Sequence, residues 1–151
     1  MATSNHELIR NTIARWPLIM DQKNSDLLSK TFTPDAVFHY PPPIGTIQGT
    51  IGIVEMLQTL KDVTTYHSLG TQIIELTSAT TATATTYCIG IHVRTGDRAG
   101  ESITILGYYE DRLVKGKVAE IGQDDDVWRI FERRVHHHIP STGGQKFPAL
   151  A

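Results

Sequence analysis

The sequence predicts an α+β fold in which helices near the N-terminus cover one face of a curved antiparallel sheet and enclose a cone-shaped cavity. Two features of the 151-residue chain lead to this prediction. Apolar residues recur at helical spacing up to about residue 60, whereas Thr, Ile, Val and Tyr alternate with a period of two from Thr64 onward. Helices followed by a run of long strands are typical of α+β domains.

The first helix is expected to begin at Ser4 or Asn5, because either side chain can accept a hydrogen bond from the first turn. Pro17 lies inside the helical pattern, and we expect it to kink the helix without ending it. The helix should end near Asp21. Its buried stripe consists of Ile9, Ile13, Trp16 and Met20.

Two shorter helices and a short strand follow. Ser25 is the expected cap of a helix over 26–30, and a strand over 36–40 comes next. The three prolines at 41–43 end this strand and form a stiff rim. Thr50 is the expected cap of the third helix, whose apolar side carries Ile53, Leu57 and Leu60.

The stretch over 65–76 predicts the first long strand. Residues over 71–78, 80–94 and 101–114 alternate as in strands, and a last strand is predicted over 127–139. Glycines and aspartates predict a solvated loop over 115–126. We therefore expect one domain over residues 1–139, followed by a loosely held tail over 140–151.

Composition limits the classes of partner. The formal net charge of −2 argues against nucleic acid, and the single cysteine, Cys88, excludes an internal disulfide and a multi-cysteine zinc site. The chain shows neither a secretory signal nor an apolar run of ~20 residues, so we expect a cytoplasmic protein that does not contact a membrane. Successive histidines at 136–138 point to opposite faces of a strand, so no metal site is predicted there.

A lone histidine, His67, lies near the start of the first long strand. It is either a surface or core residue without a chemical role, or a base that faces the cavity. Asp21 is either a solvated residue at a helix end or a carboxylate that orients this imidazole. A carboxylate on one ring nitrogen would fix the tautomer in which the other nitrogen can take a proton.

Strand alternation groups the other candidates by the face they share. Arg133 either neutralises an enolate or a leaving group, or pairs with Asp111. The groups on one face are Cys88 with His92, Phe38 with Tyr40, and Ile105 with Tyr109 and Asp111.

Several short motifs occur in order along the chain: a first helix that ends in Asp21, Thr-Pro-Asp-Ala-Val-Phe at 33–38, Ile-Gln-Gly at 47–49, Tyr-His-Ser-Leu-Gly at 66–70, Gly-Tyr-Tyr-Glu-Asp at 107–111, and Trp-Arg-Ile-Phe-Glu-Arg-Arg-Val at 128–135. With this set the sequence resembles the SnoaL-like branch of the nuclear-transport-factor-two-like superfamily up to about Ile139. The resemblance implies a cystatin-like α+β barrel with a conical cavity. It also implies a homodimer, or a trimer, formed through the outer face of the sheet, with 80–86 and Trp128 as candidate contacts.

Two enzymes of this superfamily, scytalone dehydratase and hexachlorocyclohexane dehydrochlorinase, pair an aspartate at the end of the first helix with a histidine on the sheet. Asp21 and His67 stand at those places. The resemblance to the first enzyme implies pocket roles for Tyr40 and His92, although Met20 replaces a tyrosine that this enzyme carries. The resemblance to the second implies a role for Arg133 on the last strand.

The predicted function is that of a cofactor-independent dehydratase, isomerase or cyclase acting on a small polyketide- or terpenoid-like molecule of natural-product metabolism. The predicted catalytic residues are Asp21, Tyr40, His67, His92 and Tyr109, and the predicted substrate contacts are Trp16, Met20, Phe38, Cys88, Ile105 and Arg133. The alternative is a non-catalytic module of the same fold that binds a small ligand or dimerises. An epoxide hydrolase ranks last, because it needs an Asp-Arg-Asp set and only Asp111 and Arg133 are evident.

Overall fold

Helices and strands follow one another in the predicted order, with one additional short strand before the third helix. The computed structural model describes residues 3–118, 123–138 and 142–143. The α-helices of this part are α1 (Asn5–Gln22), α2 (Leu28–Thr31) and α3 (Gly49–Thr59). Its strands are β1 (Phe32–His39), β2 (Thr46–Gln48), β3 (Val63–Leu76), β4 (Thr81–Arg94), β5 (Ser102–Val118), β6 (Gln123–His137) and β7 (Thr142–Gly143).

Both ends of α1 are capped by hydrogen bonds. The Ser4 hydroxyl accepts a hydrogen bond from the backbone N–H of Glu7 at 3.2 Å, and the helix then runs through Pro17 to Gln22. Lys23 follows in the left-handed conformation, with φ of 54°, and its backbone N–H bonds back to a carbonyl of the last turn. The apolar side of α1 packs against β3 and β6, which brings its C-terminal end to the sheet.

The second and third helices differ from prediction at their starts. Asn24, not Ser25, provides the cap, and the segment begins with a 3-10 turn over Ser25–Leu27 before the single turn of α2. α3 begins at Gly49, with φ of 70°, and not after a Thr50 cap. A Cβ at position 49 would lie 3.0 Å from the carbonyl oxygen of Pro34, so the backbone at the start of α3 requires glycine. The short strand β2 was not predicted.

The strands form one curved sheet in the order β2-β1-β6-β5-β4-β3, and β7 adds to β5. The α+β class is confirmed. One correction concerns strand direction: β1 pairs with β6 in parallel, whereas the other pairs are antiparallel. The direction of β6 follows from the β3–β6 meander, and β1 reaches it only through a distant part of the chain, so local sequence carries no signal for the parallel pair.

β5 and β6 extend through most of the segment predicted to be a loop. β5 continues to Val118 and β6 begins at Gln123, with Gly116 opposite Val127. The loop prediction over 115–126 was therefore wrong on both sides, since cross-strand pairing overrides the turn-forming residues here. Of the predicted tail, the structure describes Thr142 and Gly143, which pair with β5. The boundary at residue 139 lies outside the described residues.

The concave face of the sheet is buried against the helices. Trp16, Phe32 and Phe38 form an aromatic cluster there, with ring centroids 4.8–6.2 Å apart. Trp128 is also buried, and its indole N–H donates to Asn5 Oδ1 at 3.1 Å. The expectation that Trp128 contributes to an intermolecular contact is therefore wrong. None of the helices in the described residues is long and apolar enough to span a bilayer.

Candidate active site

The C-terminal end of α1 places Asp21 directly against His67 of β3. Asp21 Oδ1 lies 2.7 Å from His67 Nδ1, and Asp21 Oδ2 accepts a hydrogen bond from the backbone N–H of His67 at 2.9 Å. The hydroxyl of Thr65, two residues earlier on the same face of β3, lies 3.0 Å from Oδ1. Three donor groups therefore converge on one carboxylate, which holds both the carboxylate and the imidazole ring in place.

Hydrogen bonding decides the charge of Asp21. Burial alone would raise the pKa of its carboxyl, but the bonds from the side chain and backbone of His67, the charge of His67 and the Thr65 hydroxyl together lower this pKa below its usual value. An ionised carboxylate can only accept hydrogen bonds. The short contact therefore requires the proton on His67 Nδ1, and in the neutral ring the lone pair is then on Nε2.

His92 of β4 lies on the opposite side of the His67 ring. Its side chain is on the concave face, in phase with Cys88 and Gly90 as the alternation predicts. The two Nε2 atoms are 3.5 Å apart and the rings are edge to face. Burial, together with the charges of His67 and Lys23, lowers the pKa of His92 to about 3, so this imidazole is neutral at neutral pH.

A small cavity opens beside His67. Its water-accessible volume is about 10 Å³, which is room for roughly one water molecule. The lining is mainly apolar and comes from β3, β4, β5 and the end of β6: His67, Cys88, Gly90, Ile105, Gly107, Tyr108, Tyr109, Val135, His136 and His137. The expected hollow is thus largely filled by side chains.

Three other predicted site residues share this cavity with His67, namely Cys88, Ile105 and Tyr109. The Tyr109 hydroxyl donates to Cys88 Sγ at 3.1 Å. Burial raises the pKa of both the Cys88 thiol and the Tyr109 phenol, so both are neutral. The cavity therefore places His67, which is held by Asp21, beside the neutral hydrogen-bonding groups of Cys88 and Tyr109.

Other residues proposed as substrate contacts do not line the cavity. Trp16, Met20 and Phe38 are completely or almost completely buried in the main hydrophobic cluster, where they pack against helix and sheet. Their spacing on α1 and β1 identifies core positions, and a strand or helix face that points inward need not reach a cavity. A substrate could touch them only if the core opened.

Arg133 and Asp111 form a completely buried ion pair on neighbouring strands. Arg133 Nε and Nη2 lie 2.6 and 2.8 Å from the two carboxylate oxygens. Burial would lower the pKa of Arg133, but the charge of Asp111 and its hydrogen bonds raise it. The guanidinium also lies 4.3 Å from the ring centroid of Tyr109. Two roles were considered for Arg133, and the structure shows the one in which it pairs with Asp111.

Two buried polar atoms near this pair have no hydrogen-bond partner among the described residues. They are Arg133 Nη1 and the hydroxyl of Tyr40. Burial raises the pKa of Tyr40, so its hydroxyl keeps its proton and remains a donor. A buried polar group without a partner is costly, so each of these donors could accept a hydrogen-bonding partner from a ligand.

Thr65, Lys23 and Gly90 were not singled out from the sequence. Thr65 could have been found, because it lies two residues before His67 and so shares its face. Lys23 carries no local signal beyond its position after the helix. Gly90 could not be identified as a site residue without the pairing of β3 with β4, because this pairing is what places it opposite His67.

The triple histidine divides between the two faces of β6. His136 faces outward and contacts Glu110, with Nε2 2.5 Å from the carboxylate. His137 lines the cavity side, and burial lowers its pKa. Within residues 3–118, 123–138 and 142–143, no group of three His, Cys, Asp or Glu side chains is arranged to hold a metal ion.

Solved structures with similar folds cover nearly the whole chain. A candidate scytalone dehydratase from Novosphingobium aromaticivorans is 19% identical, with a TM-score of 0.76 over 94% of this chain and 89% of that one. A type 2 hexachlorocyclohexane dehydrochlorinase is 16% identical, with a TM-score of 0.75 over 97% and 93%. ActVI-ORFA from Streptomyces coelicolor is 21% identical, with a TM-score of 0.64 over 90% and 98%.

At these identities the likeness establishes the fold. No curated protein sequence shows significant similarity to the chain. A family model, described as a SnoaL-like domain, matches residues 2–134. This match covers most of the sequence, including the strands that carry His67, His92 and Tyr109, and it agrees with the resemblance found in the motifs. The chain therefore belongs to the SnoaL-like family.

Proposed function

We propose that this protein is a cofactor-independent lyase or isomerase in which His67 removes a proton from carbon or oxygen of a small organic substrate. In a dehydration, the electrons of the broken C–H bond form a C=C bond, the adjacent C–O bond breaks, and the leaving hydroxide takes the proton back from His67 and departs as water. In an isomerisation, the proton returns to a different atom. The substrate class that fits is a partly apolar molecule with a carbonyl or hydroxyl group, such as a polyketide or a terpenoid.

The observation that carries the proposal is the 2.7 Å contact between Asp21 Oδ1 and His67 Nδ1. This carboxylate orients the ring, fixes the tautomer and stabilises the imidazolium that forms after proton transfer. The His67 side chain lines the cavity and is only 1% exposed, so its Nε2 atom is shielded from bulk solvent. A base in an apolar, water-poor site takes protons without competition from bulk water.

Besides a base, the reaction needs groups that hold the substrate oxygens and carry protons, and neutral hydrogen-bonding side chains can do this. Tyr109 lines the same cavity as His67 and can donate to a substrate oxygen that gains negative charge. The unsatisfied donors of Tyr40 and Arg133 lie deeper in the interior and can hold a second oxygen once a substrate enters. His92 is neutral and can pass a proton to or from His67 across 3.5 Å.

Substrate binding must enlarge the cavity, since about 10 Å³ holds roughly one water molecule. We expect side chains on β5 and β6, including Ile105 and Val135, to move apart when the substrate enters. This is induced fit, in which binding free energy assembles the closed site around the substrate.

A generic base assay tests the proposal before the natural substrate is known. In 5-nitrobenzisoxazole a base removes the ring C–H proton, the N–O bond breaks, and the electron pair ends on a phenolate oxygen that absorbs visible light. We expect the wild-type protein to accelerate this elimination and His67→Gln to lower the rate about a hundredfold or more. His6→Gln, on the exposed start of α1, is the matched control. Equal rates for wild type and His67→Gln on this probe and on a panel of β-hydroxy ketones would overturn the proposal.

The second candidate is a non-catalytic, self-associating module, and the small cavity favours it. The outer face of the sheet also exposes large apolar side chains: Tyr66, Ile73, Tyr87, Ile89 and Ile91. We infer that copies of the chain associate through this outer face, as a dimer or trimer, whichever function is correct. A module of this kind would tolerate Asp21→Asn and His67→Gln with no loss beyond stability.

A further inference from the structure

We propose that His137 is a specificity-determining residue of the site: its Nε2 atom forms a hydrogen bond with a hydroxyl or carbonyl oxygen of the substrate, remote from the carbon that faces His67. This inference rests on the proposed function, since it takes His67 as the residue that meets the reacting C–H group. The substrate class is then a mainly apolar ring compound with an oxygen atom away from that group. An imidazole suits this role, because its ring nitrogens can donate or accept a hydrogen bond.

His137 and His67 line the same cavity from different strands. His137 is the last residue of β6, whereas His67 lies on β3. β5 and β4 lie between these two strands, so the backbones are three strand spacings apart, or roughly 14 Å along the curved sheet. The two imidazoles therefore belong to opposite sides of the lining. A ligand in contact with both must extend across the cavity.

The His137 side chain has a hydrogen-bonding atom to spare. Its Nε2 is buried, and none of the described residues forms a hydrogen bond with it. Burial also lowers the pKa of His137, so the ring is neutral at neutral pH. Elsewhere in the lining, Ile105 and Val135 are apolar, and the Tyr109 hydroxyl already donates to Cys88 Sγ at 3.1 Å. A ligand oxygen that pairs with Nε2 would remove the cost of leaving this buried atom unsatisfied.

Gly107 of β5 allows the end of β6 to lie close to the sheet. It pairs directly with His137, and a Cβ at position 107 would collide with the backbone carbonyl of His136 and lie 3.4 Å from the Cα of His137. A side chain at position 107 would therefore push β6 away. One residue further on, the backbone N–H of His138 donates to the Leu106 carbonyl at 2.8 Å. The backbone at His137 is thus anchored to β5, which keeps the imidazole beside the cavity.

His138 is a natural control for His137. The two residues are neighbours at the end of the same strand, but alternation directs their side chains to opposite faces of the sheet. The His138 side chain is exposed, and its ring centroid is 6.4 Å from that of Tyr87 on the outer face. The same substitution at both positions therefore changes the cavity in one variant and the surface in the other.

The test measures the binding of three ligands with one bicyclic skeleton to the full-length protein. Indane carries no oxygen, 2-indanol carries a hydroxyl and 1-indanone carries a carbonyl. Wild type should bind 2-indanol and 1-indanone about three- to tenfold more tightly than indane, as expected for one additional hydrogen bond. His137→Phe keeps an aromatic ring but lacks the nitrogens, so this preference should disappear while the affinity for indane changes little. Titration calorimetry provides the dissociation constants.

Two further variants separate hydrogen bonding from packing. His137→Gln should keep much of the preference, because an amide can also donate and accept. His138→Phe should bind all three ligands as wild type does. Should His137→Phe unfold, His137→Leu provides the same comparison.

Three results would overturn the inference: wild type that shows no preference or no binding, a preference that persists in the folded His137 variant, or an equal loss of affinity for all three ligands. The last result would assign His137 a packing role only.

Binding is measured without turnover, so this inference and the proposed function can fail separately. If His67→Gln retains full elimination activity while the preference depends on His137, the proposed function fails and the oxygen-binding role of His137 stands. If His67→Gln abolishes activity and the preference persists in His137→Phe, the reverse holds. For an active enzyme and a β-hydroxy ketone substrate, His137→Phe should raise KM with little change in kcat, as expected for a contact made equally in the bound substrate and the transition state.

Discussion

Gly90 of β4 lies directly opposite His67 of β3, and its missing side chain leaves the space in front of the imidazole open. A Cβ at position 90 would lie 3.3 Å from Cδ2 and 3.4 Å from Nε2 of His67. The same position is 3.8 Å from Nε2 of His92. A methyl group would therefore narrow the space beside both imidazoles.

Gly90→Ala should lower kcat/KM by tenfold or more, as a misplaced reacting atom costs rate steeply. Protein stability should change little, since the contacts are tight but the ring edge can shift by a few tenths of an ångström. Gly70→Ala is the matched control on β3, because the nearest atom to its Cβ would be 4.0 Å away. Steady-state kinetics with the elimination probe provide the measurement. Equal rates for the two variants would show that the substrate does not approach over Gly90.

Asp21→Asn should reduce the rate of proton abstraction by about a hundredfold or more, because an amide can present its N–H to His67 and reverse the tautomer. The variant also tests stability. The folded-state pKa of Asp21 lies below the ordinary value of 3.8, so its stabilising contribution is fully present above pH 3.8 and is lost as pH falls through the folded value. Urea unfolding at pH 7 and pH 3 should show the difference between wild type and Asp21→Asn shrinking at the lower pH.

His92 should make the folded protein sensitive to acid. Its pKa is lowered to about 3 from an ordinary value of 6.5, so between these values the unfolded chain binds a proton that the folded chain does not. The free energy of unfolding should fall as pH decreases from 6.5 toward 3, with a slope of up to about 1.4 kcal/mol per pH unit from this group. His92→Gln should show a flatter dependence in urea titrations. A slope identical to that of wild type would contradict the buried neutral imidazole.

Asp111→Asn should destabilise the protein by about 3–5 kcal/mol, because it leaves the charge of Arg133 buried without its partner. Replacing both residues, as in Asp111→Leu with Arg133→Met, should cost much less. Arg112→Met is the control on the same strand, since the Arg112 side chain is 63% exposed and its ion pair with Glu132 should contribute about 1 kcal/mol or less. Chemical denaturation measures all four proteins. A single-variant cost no larger than that of Arg112→Met would argue against a buried pair.

Self-association through the outer face predicts that a charge at its centre disrupts it. Ile89→Lys on β4 should shift the protein toward monomer in light-scattering measurements at micromolar concentration. Ile51→Lys on α3 is the control, because Ile51 is 75% exposed on a helix and not on this face of the sheet. A wild-type protein that is monomeric throughout the micromolar range would contradict the inference.

Local pattern accounts for much of the fold. The change of period near residue 64 separates helices from strands, and the alternation along β4 puts Cys88, Gly90 and His92 on one face. Side-chain periodicity is a property of the backbone itself, so it can be read without knowing what each strand contacts. The same property made Trp16 and Phe38 look like cavity residues, because periodicity identifies an inward side chain but not whether space remains in front of it.

Long-range packing determines the contacts that local sequence pattern does not predict. Asp21 and His67 are 46 residues apart, and their 2.7 Å contact exists because α1 packs across β3 and ends there. The parallel pairing of β1 with β6 and the continuation of strands through residues 115–118 and 123–126 also depend on partners far away in the chain. Periodicity therefore determined which side chains turn inward. Which of them touch, and how little room they leave beside His67, depended on how the elements fill a shared interior volume.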